Sequence, residues 1–401
     1  MNNVFNTARR AETGANGEKT APIYFDHHAT TPVDQKIADL VLRVMTTDFG
    51  NANSTEHRFG ETAAHLVSAA REAVADLLGA SVDAVHFTSG STESIHLALD
   101  HAVNNRRSKD PLRVAASTVE HHAVLGRLSQ LADSGLITLS WLPVDNQANL
   151  RLDRVHDTLQ EGVDLVCVMG ANNEVGTTYP IQELAELAQR HGADILVDAT
   201  QSVGHTDLRV EDWGLTYVAL SAHKIYGPKG IGALVTQSGI EARQDAGAPG
   251  TGLGTPNVPG IVGLGEACRL LQSEAEFDND RIAGLRDRLQ ATLVSEIDRL
   301  VVNGAPDRRL PHNLHFSVPG LPSDAVIARL HDTVALSSGA ACASGTDQPS
   351  HVLQAMGLAQ PLQEGAFRIG LGRRTTKSEV DVAAKLIIEA IKATASAMDL
   401  K

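Results

Sequence analysis

Aromatic side chains are scarce in this 401-residue chain: Phe, Tyr and Trp together make up 3% of it. Its core must therefore be built mostly from Ala, Val, Leu and Ile. A hydrophobic content of 42% is enough for two or three domains at this length. Basic charge is also short, with 34 Lys and Arg against 48 Asp and Glu and a formal net charge of −14. Such a chain repels phosphate backbones and anionic membranes on average, so direct nucleic-acid contact is not expected. No apolar run reaches the roughly 18 residues that span a bilayer, so no membrane association is expected. The N-terminal MNNVFNTARRAETGANGEKTAP lacks the apolar centre of a signal peptide and reads as a loose tail, residues 1–20, on a cytoplasmic protein. Cysteine numbers only three, odd and widely spaced, which argues against a disulfide framework or a zinc knuckle.

The three cysteines differ in setting. Cys167 lies in DLVCVMG, an apolar run that reads as a buried strand, and Cys268 lies in GEACRLL, one face of a helix. Both read as core. Cys342 alone sits among small polar residues, in SSGAACASGTDQPS, and reactive thiols need exposure.

From about Ala80 to Thr236 short β-rich runs (VHFTSG, LRVAAST, LITLSWLPV, DLVCVMG, DILVDAT, TYVALSAHK, IGALVT) alternate with helical stretches such as STESIHLALDHAV and IQELAELAQRHG. That rhythm predicts an α/β fold with a mostly parallel central sheet covered on both faces, its chemistry at the carboxyl ends of the strands. A Gly- and Pro-rich loop is expected over 242–259, then a long helix over 259–292. Beyond it NLHFSV and TVALSSG read as strands of a smaller α+β region, which KSEVDVAAKLIIEAIKATASAM closes as a helix. The expected division is a large domain, 34–272, and a small domain made of 21–33 and 273–401.

Three strand-end turns carry candidate chemistry. In TSGSTES, Gly90 allows a tight turn, and Ser91 and Thr92 open a helix whose N-terminus suits a phosphate; an ordinary Ser N-cap explains the segment equally well. In SAHKIYGPKG, Lys224 sits beside Ser221 and His223. A lysine that forms an imine must lose its proton, and burial beside positive charge lowers its pKa, but a lone lysine in a Gly-Pro turn is more simply a surface residue. In DATQS, Asp198 ends an apolar run, where a carboxylate is costly unless paired. Together they supply what pyridoxal phosphate requires: an imine lysine, an acid for the ring nitrogen and a phosphate cradle. The DHHATT motif from Asp26 is similar to the metal signature of DHH-type phosphoesterases. Those enzymes need further aspartates on preceding strands, and about two dozen mostly polar residues precede it here. It reads as a loop without metal, with Thr30, Thr31 and Pro32 starting a helix.

From about Tyr24 to the last helix the chain resembles the cysteine desulfurases, fold-type I pyridoxal phosphate enzymes of the aminotransferase class V group. The resemblance is carried by YFDHHATTPVD, FTSGSTES, VEHHAVL, NNEVGT, VDATQSVG, SAHKIYGPKGIGAL, SSGAACASG and FRIGLGR. It implies that Lys224 forms the imine and later moves protons at the substrate Cα. Asp198 keeps the pyridine nitrogen protonated, Gln201 bonds the ring hydroxyl, and His121 stacks on the ring and shuttles a proton. Ser91, Thr92, Ser221 and His223 hold the phosphate, with Thr255 reaching in from a second subunit of a homodimer. Arg368 and Asn173 grip the carboxylate of L-cysteine, an Arg fork being suited to that task. Cys342 becomes the nucleophile that leaves as a persulfide and hands its sulfur to an acceptor protein, while His122 is a spectator. The spacing from Cys342 to Pro349 and Ser350 resembles the long-loop group that serves iron–sulfur assembly. One departure stands out in RQDAGAPGTGLGTPNVPG: Gly252 occupies the place of the family's arginine, and a Gln-Glu pair is missing. Another fold-type I activity, a selenocysteine lyase or a transaminase, or a largely non-catalytic sulfur-delivery subunit, are the alternatives.

Overall fold

The computed structural model describes residues 21–106, 109–240, 254–339 and 349–398. Seven strands form the central sheet: β2 (Val85–Thr88), β3 (Leu112–Ser117), β4 (Ile137–Leu142), β5 (Leu165–Met169), β6 (Asp194–Asp198), β7 (Tyr217–Ser221) and β8 (Gly232–Thr236). They follow a short N-terminal strand, β1 (Ile23–Tyr24). Their order is β2-β8-β7-β6-β5-β3-β4. β8 is antiparallel to both neighbours, and the pairs along β7-β6-β5-β3-β4 are parallel. The exception has a simple cause. Only Ala222 to Ile231 separate β7 from β8, too few residues for a crossover helix, so the chain turns back on itself.

Alternate strand residues feed opposite faces of the sheet. Val114, Ala116, Leu165 and Cys167 join Ile95, Leu99, Val124 and Leu128 from the helices Ser91–Asn104 and His122–Asp133 in one cluster. Val166, Val168 and Val197 pack the other face with residues of Arg58–Leu78, Ile181–Arg190 and the front of the long helix Val258–Glu296. Cys167 and Cys268 are both fully buried. Burial pushes the Cys268 thiol up to about 12 and the Cys167 thiol well above its ordinary value.

The far half of the long helix contributes Ile282, Leu289 and Leu293 to a separate cluster with Phe25, Phe316, Phe367 and Ile387. That cluster backs a four-stranded antiparallel sheet. Its strands are β9 (Val301–Val302), β10 (Asn313–Ser317), β12 (Ser337–Ser338) and β13 (Ala366–Gly370). β1 pairs in parallel with β11 (Val334–Ala335). The helix expected to start at Thr30 to Pro32 begins later: Asp34 caps Gln35–Thr46 by accepting from the Lys36 backbone N–H. Thr31 is used elsewhere, since its N–H and hydroxyl both donate to the His223 carbonyl. Among the described residues no helix is long and apolar enough to cross a membrane.

Candidate active site

A cavity of about 300 Å³ opens where the carboxyl ends of the parallel strands converge. Ser91 and Thr92 reach it from the end of β2, His121 from β3, and Asn173 from β5. Asp198 and Gln201 come from β6, His223 and Lys224 from β7, and Arg368 from β13 of the smaller sheet. Nine sequence-predicted site residues thus share one cavity. Ser221 ends β7 just behind it, its Oγ 3.7 Å from where a Cβ on Gly90 would stand. Thr255 is exposed and does not line the cavity. Cys342 and Gly252 lie outside the described residues.

One end of the cavity suits an anion. Gly90 precedes the helix Ser91–Asn104 with φ 156°, and no side chain caps that helix. The close approach of Gly232 to Gly90 demands glycine, because a Cβ on Gly232 would fall 2.7 Å from the Gly90 Cα. The first-turn N–H groups and the helix dipole therefore face a site that no side chain of the cap position fills. His223 flanks it, its Nδ1 3.2 Å from Thr30 Oγ1. Burial, then the charges of Lys224 and Lys229, lower its pKa to about 4, so it is neutral at pH 7.

Lys224 follows in the same turn, its Nζ donating to the carbonyls of His28 and Ala29. Two residues on, Tyr226 has a left-handed backbone, φ 65°, a costly conformation for an aromatic residue. It is clamped by Thr31 Oγ1 on its N–H (2.8 Å), the Asp34 N–H on its carbonyl (2.9 Å) and the Arg373 N–H on its hydroxyl (2.6 Å). Opposite the lysine, Asp198 is 5% exposed, and its Oδ1 accepts from both the N–H and the hydroxyl of Thr200. His121 caps the helix His122–Asp133 by accepting the Ala123 N–H on Nδ1, 3.1 Å away. A neutral His121 must then carry its proton on Nε2. Burial, opposed by Asp198 and reinforced by Lys224, lowers its pKa.

The other end of the cavity is held by Arg368, 2% exposed. Its guanidinium donates to Asp26 Oδ1 (2.9 Å), to Ser337 Oγ (3.5 Å) and to the Asn173 carbonyl (3.2 Å), while its buried Nε has no partner among the described residues. The counterion is one feature the sequence reading missed. Asp26 belongs to the DHHATT segment and His28 of the same motif lines the cavity. A bridge between Asp26 and Gly370 sets them beside β13, a pairing across more than 300 residues that no local pattern announces. His122, read as a spectator, packs its ring 4.7 Å from that of His351, just past the segment that carries Cys342.

Glu174, next to Asn173, is 2% exposed and accepts from the Ser350 hydroxyl. Ser350 in turn caps the helix His351–Ala355 at the root of the cysteine segment. Burial raises the Glu174 carboxyl to about 7, against the smaller opposing effects of Ser350 and Arg368. The folded protein therefore keeps a proton here between about pH 4.5 and 7 that the unfolded chain has lost, so this group's contribution to stability falls as pH rises through that window. Glu174→Gln keeps an acceptor for Ser350 and removes the titration. It is expected to stabilise the protein by up to about 3 kcal/mol at pH 8 and by little near pH 4.5. Denaturant melts at the two pH values check this; an equal effect at both would refute it.

A mostly parallel sheet with a lysine, an acid and an open helix N-terminus at its strand ends defines a fold-type I enzyme. The comparisons with known proteins agree. The aminotransferase class-V family matches residues 23–382, and the chain belongs to that family. The cysteine desulfurase IscS of Anaeromyxobacter sp. (strain Fw109-5) is 41% identical over 377 residues, covering 92% of this chain and 93% of that protein. A solved NifS-like protein superposes with a TM-score of 0.84 at 30% identity, covering 93% of this chain and all of the other. A structure of SspA in complex with cysteine gives 0.75 at 28% identity, over 88% of this chain and 100% of that one. Within the class-V family the chain is an enzyme of the cysteine desulfurase group.

Proposed function

We propose that the chain uses pyridoxal 5'-phosphate to take sulfur from L-cysteine, forming a persulfide on Cys342 and releasing L-alanine, and passes the sulfur to an acceptor protein. The observation that carries this reading is the meeting of Lys224, Asp198 and the uncapped helix N-terminus in one cavity with a buried arginine whose Nε lacks a partner.

The residues fit the cofactor. Ser91, Thr92, Ser221 and His223 surround the place for a phosphate, Asp198 offers a buried carboxylate to a ring nitrogen, and Gln201 and His121 border the ring's place. When bound, the cofactor supplies an electron sink for the substrate Cα. The chain's own residues do the rest. Arg368 binds the substrate carboxylate, its Nε being the nitrogen without a partner among the described residues, and the Asn173 carbonyl holds that guanidinium in place. Lys224 moves a proton at Cα. His121, with its hydrogen on Nε2 and Nδ1 engaged by the Ala123 N–H, serves as a hydrogen-bond donor toward the cavity. The Cys342 thiolate attacks the substrate sulfur. Its new S–S bond replaces the C–S bond, the electron pair stays with the carbon fragment, and a proton completes alanine, so no outside oxidant is required.

The separate cluster of Phe25, Ile282, Leu289, Phe316 and Phe367 supports a division into a large domain, 34–272, and a small one, 21–33 with 273–401, while Val352, Leu353, Met356 and Ala366 of the latter pack with the large domain's core. A homodimer, with Thr255 of each chain completing the other's site, belongs to the same reading. It is supported by the exposed Leu42, Met45, Phe49 and Phe59, the last two with rings 5.4 Å apart. A cytoplasmic setting also belongs to it, because Cys342 must stay a free thiol.

The test is L-cysteine added to purified protein without reductant. The expected result is a burst of about one alanine per chain, a mass gain of one sulfur on the peptide holding Cys342, and further alanine once a thiol discharges it. The same preparation should sediment as two chains. Alanine without a labelled Cys342 would point instead to a lyase or transaminase of the same fold, and absence of both products to a delivery subunit.

A further inference from the structure

We propose that His28 is a positioning residue for the ring of the cofactor: locked in one tautomer, it orients the Gln201 amide so that an N–H, and not the carbonyl oxygen, faces the cavity. The inference rests on the cofactor reading above and adds a residue that the motif alone left as part of a loop.

The tautomer follows from two independent ends of one hydrogen-bond chain. Gln201 Nε2 donates to the His28 carbonyl at 3.1 Å, and a carbonyl can only accept, which fixes the amide orientation. Gln201 Oε1 therefore faces His28 Nδ1, 3.3 Å away, and Nδ1 must carry the hydrogen. At the other side, Asn313 Nδ2 donates to the Glu174 carbonyl at 2.9 Å and lies 3.0 Å from His28 Nε2. Nε2 must then accept. Both ends require the neutral ring with its proton on Nδ1.

The setting keeps it neutral. His28 is 1% exposed and stacks on His312 at 4.4 Å, which in turn packs on His205 at 4.3 Å. Arg368 and Lys224 are the positive groups that face it, and His205 and His312 are the other titratable ones. A proton added there would meet burial and two cations with no carboxylate partner among these neighbours. Gln201 Nε2 spends one hydrogen on the His28 carbonyl and has a second for the cavity. An N–H offered to an anionic ring oxygen attracts it, whereas a flipped amide would offer a carbonyl oxygen and repel it. The His28 ring N–H on Gln201 Oε1 joins the His28 carbonyl on Nε2 in holding the first orientation.

The experiment follows the pH dependence of the visible band of the cofactor-loaded protein. A donor to an anionic ring oxygen spreads its charge and weakens proton binding nearby, so losing the donor moves the midpoint up. Gln201→Ala is the reference. His28→Leu, which keeps the backbone carbonyl on Gln201 Nε2 but loses the ring N–H on Oε1, should move the midpoint up by about half a pH unit, part of the Gln201→Ala shift. His28→Leu added to Gln201→Ala should move it no further. His28→Asn, which keeps a donor toward Gln201 Oε1, should restore the wild-type midpoint. If His28→Leu does not fold, Asn313→Ala, which frees the other side of the ring, should give a smaller shift of the same sign. An unchanged midpoint in His28→Leu or Asn313→Ala, or additive shifts in the double variant, would overturn the proposal while the cofactor reading stood. A wild-type protein with no visible band would overturn the cofactor reading itself.

Discussion

Lys224→Ala should lower alanine formation from L-cysteine by about a thousandfold or more, the size of effect expected when a covalent nucleophile and proton carrier is lost. The cavity supports so large an effect because, among the described residues, no other lysine lines it. The turn that carries Lys224 is held by Thr31 and by the clamped Tyr226. The proposed phosphate end is independent of the lysine. It is made by the N-terminus of Ser91–Asn104, with Ser221 and His223 beside it. The variant should therefore still take up cofactor, with a changed visible band and easier loss on dialysis. A small primary amine in the buffer should recover part of the rate. Alanine measured by chromatography checks the loss, and a fall of less than about tenfold would remove Lys224 from the proposed role.

Arg368→Ala should reduce kcat/KM for L-cysteine by about a hundredfold to a thousandfold, mainly through KM, as loss of a buried charge-assisted clamp does. The same change leaves Asp26, whose side chain is 19% exposed, without its ion-pair partner, so the variant should also melt earlier, its loss of stability being less than the roughly 3–5 kcal/mol that breaking a fully buried pair costs. Arg368→Lys should recover little. One ammonium cannot reach Asp26, Ser337 and the Asn173 carbonyl and still present an edge to a carboxylate. Substrate choice separates binding from folding. Wild type should strongly prefer L-cysteine to cysteamine, which lacks the carboxylate, and Arg368→Ala should lose that preference. A variant that kept it would show that the carboxylate is bound elsewhere.

Most of the site was legible because its residues follow strands. Asp198 ends DILVD, Lys224 follows YVALS, and Ser91 with Thr92 follows VHFT. A short, near-continuous apolar run ending in a polar turn marks a buried strand and its carboxyl end together, so locating the strands located the groups. The reversal of β8 was legible in principle too, from the short connection after β7. The distant partners were not. Asp26 meets Arg368 through β-bridging across the chain, and Asn313 reaches His28 from 285 residues away. Their burial and hydrogen bonds depend on which segments pack together, which local periodicity does not encode.

The sequence by itself determined the class of fold, the cavity-forming turns and the likeness to cysteine desulfurases, because periodicity and residue type act locally along the chain. Only the tertiary structure decided which group neutralises the buried arginine, which tautomer His28 holds, and that Glu174 keeps its proton to about pH 7. Those properties come from desolvation and from partners brought close by packing, and they exist only once the two cores have closed around them.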